Sequence, residues 1–149
     1  MGIGQGVRVW TDNVVIYQCP ETFCNRGAAH RGQDIALICK ETSTSNWLLV
    51  LNRGWNNDYN AVGWVDRYWL SGIHYEPPIC FGQGNSTRHG INTIVYQCPE
   101  KFCNPSSRWP SQHDIAALCN LRGSALLINH NNNEVGFLHR LGIIGVQDC

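Results

Sequence analysis

The sequence predicts an all-β protein made of two tandem, small, partly open β-barrels, each stapled by disulfides. Three observations carry that expectation. A nine-residue segment occurs twice, as YQCPETFCN at 17–25 and YQCPEKFCN at 96–104. Eight cysteines in 149 residues fall into two sets of four in the same order: Cys19, Cys24, Cys39, Cys80, then Cys98, Cys103, Cys119, Cys149. The apolar residues gather in short β-branched and aromatic runs, and no long window shows a helical period.

Taken in order, VRVW (7–10) and NVVIY (13–17) read as the first two strands, followed by the cysteine-bracketed loop. DIALIC (34–39) is a short strand between polar loops. NWLLVL (46–51) and AVGWV (61–65) pair as a hairpin across NRGWNNDY, whose Asn, Gly and Asp supply turn chemistry. RYWL (67–70) suits a single 3₁₀ turn. The second half answers the first. Residues 94–103 match 15–24, DIAALC (114–119) matches DIALIC, and ALLINHNNNEVGFL (125–138) is a hairpin on an Asn-rich turn. VGFLHRLGI (135–143) then matches VGWVDRYWL (62–70).

The expected organisation is therefore one module over 1–80, a linker FGQGNST over 81–87, and a second module over 88–149. Modules this small have marginal cores, which explains their dependence on cross-links. The linker is short enough for the modules to pack on each other.

Composition narrows the function classes. Lys plus Arg and Asp plus Glu balance at 11 each, with a charged fraction of 15%. No excess positive charge exists to release counterions, so no nucleic-acid partner is expected. No stretch is long and apolar enough to span a bilayer, so no membrane insertion is expected either. Cysteine-dense small chains belong to oxidising compartments, and the close second pair that a zinc site requires is missing. The expected location is extracellular, with the signal peptide removed, because MGIGQGVRVW lacks a signal pattern.

None of the six histidines falls in a metal-ligand spacing, and no nucleophile elbow, phosphate loop or carboxylate pair is recognisable. No catalytic residue, metal or cofactor is expected, and the protein is read as a monomer without enzymatic turnover.

The ordered motifs resemble a known family. They are a V-x-x-x-x-x-V strand, a CP-x-x-x-C loop, Gly32 before a strand, Trp47 opening the next, a GWV strand and an aromatic-Leu ending. This set is similar to the bacterial SH3-like (SH3b) domain, in the disulfide-bearing form typical of secreted actinobacterial proteins. IYQCPETFC stands in the place of the family's VRSGPSTSY loop, and GWVDRYWL (63–70) resembles its closing GWVSSSYL. The likeness covers nearly the whole chain as a tandem pair. The second module departs from it: Leu126 stands where the first has Trp47, and GFLHRLGI lacks the Trp and Tyr of the closing segment.

The resemblance implies SH3-like barrels and a non-catalytic role in binding cell-wall peptidoglycan, often its peptide part. The spacings of Cys19–Cys24 and Cys98–Cys103 allow local bridges. The resemblance implies that Cys39 then pairs with Cys80 and Cys119 with Cys149. A second function is open on the same residues: a secreted protein-binding factor, such as an enzyme inhibitor or immunity-type partner.

The aromatic residues are the candidate ligand platform. Trp47 and Trp64 are expected in the core. Trp55 and Tyr59 lie in a hairpin tip longer than its counterpart in the second half, among Asn, Gly and Asp. Two readings of Trp55 stand side by side: a ring folded back on the barrel or the other module, or a stacking surface for sugar or peptide. Tyr17 and Phe23, with Tyr96 and Phe102 in the repeat, flank the cysteine loops, which border the ligand groove in the family. Asp66, Arg67, Tyr68 and Trp69 are candidates for the same edge.

Overall fold

The computed structural model describes residues 4–24, 26–53, 61–80, 85–88, 93–99, 103–110, 112–139 and 147–149. The short apolar runs form strands, as their β-branched content dictates. In the first half these are β1 (Gln5–Val9), β2 (Val14–Tyr17), β3 (Arg26–Ala29), β4 (Ile35–Lys40), β5 (Trp47–Asn52), β6 (Val62–Asp66) and β7 (Leu70–Ser71), with a 3₁₀ turn at Arg67–Trp69. The second half supplies β8 (Asn85–Arg88), β9 (Thr93–Tyr96), β10 (Pro105–Trp109), β11 (Asp114–Leu121), β12 (Ser124–Asn129) and β13 (Val135–Leu138).

The repeat in sequence is a repeat in topology. One sheet runs β3-β2-β6-β5-β4-β1-β7 and the other β10-β9-β13-β12-β11-β8, the same order apart from the extra β7. All named pairings are antiparallel, and one sheet is curled into a half-barrel. Both copies carry a bulge at the same place, between Leu37 and Cys39 and between Ala117 and Cys119. Such a bulge sharpens the local bend and re-aims the following side chain, here the cysteine.

Two strands and part of a third were not legible. RGAA (β3) and PSSRW (β10) have weak strand propensity. They form because the pinched cysteine loop returns the chain alongside β2 and β9. Asn85, Ser86 and Thr87, read as linker, belong with Arg88 to β8, which pairs with β11.

The core has three parts because each sheet is buried on both faces. On the first sheet Ile35, Leu37, Leu48, Val50 and Val65 face one cluster, with Val7, Val14 and Ile16 beneath them. On the second, Ile115, Ala117, Ala125 and Leu127 do the same around Trp109. The alternate residues form one shared core. Ala36, Ile38, Leu49, Leu51, Val62 and Trp64 of the first sheet meet Ala116, Leu118, Leu126, Ile128, Val135 and Phe137 of the second. This is why DIALIC and WLLVL are continuous apolar runs rather than alternating ones: a strand buried on both sides has no polar face.

Backbone hydrogen bonds cross the seam in a near-symmetric pair. Ala61 N–H donates to the Gln97 carbonyl at 3.1 Å, and Val135 N–H donates to the Gln18 carbonyl at 3.1 Å. Gln18 and Gln97 are repeat equivalents, as are Val62 and Val135, so the two halves exchange nearly the same contact. The buried Gln18 side chain also crosses, donating to Ser107 Oγ at 3.0 Å; Ser107 in turn donates to Glu134.

The four disulfides are Cys19–Cys24, Cys39–Cys80, Cys98–Cys103 and Cys119–Cys149, and none joins one half to the other. The two longer bridges lie in the shared core. Each ties the chain end of its half to a central strand beside a matching parallel bridge, Lys40 with Ile79 and Asn120 with Asp148. No free cysteine is present. Four disulfides in so small a protein are consistent with an extracellular one. Among the described residues no helix is long and apolar enough to cross a membrane.

Candidate functional site

The first half carries an open cleft of about 490 Å³ between the β1–β2 turn, the start of β5 and the end of β6. The chain places its walls for local reasons. Asn13 takes φ +57°, a conformation Asn tolerates, and so turns the chain sharply from β1 into β2. β2 then presents Tyr17 opposite Trp64 of β6. Trp47, the first residue of β5, pairs with Asp66, the last of β6. Asp66 caps the 3₁₀ turn by accepting the Tyr68 backbone N–H at 2.9 Å, and that turn swings Trp69 toward the opening.

Three rings line the cleft: Tyr17, Trp47 and Trp69. Tyr17 and Trp47 meet edge to face, centroids 5.5 Å apart at 89°, and both pack on the shared core from its margin. Trp69 is stacked on Trp10 at 5.2 Å, and Tyr68 stands edge-on to both. The indole N–H of Trp10 also donates to the Tyr68 carbonyl at 2.7 Å, so the three rings form one ridge. Beyond the ridge is a shallower cleft of about 400 Å³ with Arg8 and Arg31 on its wall.

Of the residues singled out in the sequence, Tyr17, Asp66 and Trp69 come together in the cleft. Tyr68 lies outside it on the ridge, 66% exposed, and Phe23 projects from the cysteine loop at 83% exposure, where its neighbour Thr22 is the residue that reaches the cleft. Arg67 turns away to pair with Glu76, which Lys40 Nζ also reaches at 3.1 Å. These contacts, Lys40 first and then Arg67, hold the Glu76 carboxyl below the usual carboxylate range. Trp55, Tyr59 and Phe102 lie outside the described residues.

Trp64 is fully buried as expected, but Trp47 is not a core residue: it is half-buried and forms a wall of the cleft. It packs on the margin of the shared core and turns its other side to the cleft. Strand periodicity cannot reveal this, because it depends on packing against residues far away in the chain. Asp12 and Thr11 were missed as well; a β1–β2 turn adjoining the cysteine loop was the available signal.

The second half differs at the described positions that correspond to the cleft. Register shows that Leu126 corresponds to Leu49, since each lies opposite its central cysteine, Cys119 and Cys39. The counterpart of Trp47 is therefore Ser124, not Leu126. The offset arises because Thr42–Asn46 is replaced by the tight Arg122–Gly123 turn, with φ +52° and +80°. Two successive positive φ values are what a two-residue hairpin turn of this hand requires. His139 takes the place of Asp66 and stacks flat on Tyr96, centroids 3.8 Å apart at 11°. In the first half Tyr17 instead meets Trp47 edge to face.

No family model matches the chain, and no curated protein matches it.

Proposed function

We propose that the protein is a non-catalytic, secreted binding protein whose tandem SH3b-like modules recognise cell-wall peptidoglycan, with the peptide part seated in the first-half cleft. The observation that carries this reading is the cleft itself. Three rings, each held against another aromatic, give flat apolar surfaces for peptide planes, and the polar groups at the rim, Thr11, Asp12, Asn13 and Asp66, offer hydrogen-bond partners. The sequence likeness to SH3b domains supports the choice of ligand. The disulfide density suits a wall environment.

The Trp47 and Asp66 counterparts in the second half are Ser124 and His139, so the first half carries the binding and the second braces it through the shared core. Trp55 and Tyr59 remain candidates on sequence grounds, as residues at the tip between β5 and β6.

The test is co-sedimentation of the purified protein with purified sacculi. Native protein should be retained. Tyr17→Ala and Trp69→Ala should release it, each by about 2 kcal/mol, the scale of an aromatic anchor. Retention unchanged in both variants defeats the assignment.

A second reading, a secreted protein-binding factor, is favoured by the ridge: Trp10 and Tyr68 are 44% and 66% exposed beside the cleft. It predicts that Trp10→Ala and Tyr68→Ala abolish capture of a protein from culture supernatant, while sacculi are never bound.

A further inference from the structure

The cleft's charge narrows its ligand class, on the premise that this cleft is the binding site. Its lining holds two carboxylates, Asp12 and Asp66, alongside the rings of Tyr17, Trp47 and Trp69, and among the described residues that line it there is no Lys, Arg or His. Two nearby bases make no ion pair with these carboxylates among the described residues. Arg67, the residue after Asp66, is drawn to Glu76 together with Lys40. Arg31 meets Asp12 only through its backbone N–H, which donates to Oδ1 at 2.9 Å. Asp66 Oδ1 likewise accepts only the Tyr68 N–H.

Each carboxylate is thus oriented by a neutral donor, and neither belongs to an ion pair among the described residues. A backbone N–H positions a carboxylate without cancelling its charge. Aromatic faces add negative potential of their own, and attract a cation set above them. An anionic ligand would meet repulsion from both carboxylates, and a neutral one would leave them unmatched.

We infer that this cleft selects an ammonium group: the free side-chain amine of a dibasic residue in the bound peptide. Rings for the carbon stem and carboxylates for the head match the two ends of such a side chain. The second half supports the assignment by contrast, since Ser124 and His139 supply neither the ring nor the carboxylate at the corresponding positions.

The test is calorimetric titration of the full chain with acetyl-Ala-Lys-Ala-amide and with the same peptide acetylated at the lysine amine. The free amine should bind, and acetylation should weaken it by about tenfold or more. Asp66→Asn keeps an acceptor for the Tyr68 N–H. It should weaken the free-amine peptide by about five- to tenfold and leave the acetylated one unchanged. Equal affinity for the two peptides, or no heat from the free amine at millimolar concentration, overturns the inference. Should Asp66→Asn lower the melting temperature, the wild-type protein decides alone. Its affinity for the free amine must fall as ionic strength rises, and salt-insensitive binding overturns the inference. Failure here is separable from failure of the cell-wall reading. Sacculi that still retain the protein after chemical acetylation of their amines remove the ammonium and leave peptidoglycan binding. Lysine-peptide binding without retention on sacculi does the reverse.

Discussion

The indole N–H of Trp64 donates to the backbone carbonyl of Asn133 at 2.7 Å, across 69 residues and from one sheet to the other. Trp64 is fully buried, and Asn133 holds the Asn-rich turn in place from a left-handed conformation, φ +59°. The same asparagine donates from Nδ2 to Glu41 Oε2 at 3.3 Å. The turn of the second hairpin is therefore docked on the first half, and the protein should unfold as one unit.

Trp64→Phe tests that coupling. The smaller ring keeps much of the apolar volume but leaves the Asn133 carbonyl without this donor. An unsatisfied buried acceptor costs about 1–3 kcal/mol. Chemical denaturation followed by near-UV dichroism and by fluorescence should show one coincident transition, shifted to lower denaturant. Two separated transitions in the wild-type protein would mean the shared core does not couple the halves.

Gly63 and Gly136 are repeat equivalents where a strand passes close to its neighbour. A Cβ at Gly63 would overlap the Ile16 side chain and lie 2.7 Å from the Tyr17 carbonyl; one at Gly136 would meet Val95 side-chain atoms at 2.8 and 2.9 Å. Backbone cannot yield as a side chain can. Gly63→Ala should therefore cost about 3 kcal/mol or more, and Gly136→Ala about 1–3. Melting temperatures of the two variants check the order, and Gly136→Ala being the more damaging would contradict it.

The two nearly identical cysteine loops should differ in reactivity. Cys24 is partly exposed, whereas Cys98 and Cys103 are both buried against the shared core. A thiolate reductant needs access to sulfur. Under native conditions a mild dithiol should open Cys19–Cys24 first, and Cys98–Cys103, Cys39–Cys80 and Cys119–Cys149 only with unfolding. Alkylation and peptide mapping over time read the sequence of events.

Glu76 predicts a small acid-side effect. Its folded-state pKa lies below the ordinary value through Lys40 and Arg67. A depressed carboxyl stabilises the fold above its unfolded pKa, and the benefit disappears as pH falls through the lowered folded value. Glu76→Gln should flatten the loss of melting temperature on acidification, with the difference shrinking at high salt because the group is exposed. An unchanged acid profile would show that the triad adds nothing.

The strands were readable where one property, apolar β-branched content, decided them. β2, β4, β5, β6, β11, β12 and β13 all lie on such runs. The weak runs RGAA and PSSRW were not, because their pairing depends on the disulfide-pinched loop before them. The candidate site was half legible. Tyr17, Asp66 and Trp69 stood beside motifs, while Trp47 looked like core and Asp12 like an ordinary turn residue.

The sequence by itself determined the all-β class, the internal repeat, the hairpins and the order of the cysteines. These are carried by local composition and by self-similarity, which need no knowledge of distant partners. Only the tertiary structure decided that the two sheets share a core, that Ser124 rather than Leu126 stands where Trp47 does, and that Tyr17 borders a cleft while its counterpart Tyr96 stacks on His139. The physical reason is that a strand's pattern specifies which residues share a face, but what covers that face is set by packing against residues far away in the chain. At the start of β5, on the margin of the shared core, a core-type tryptophan becomes the wall of a site.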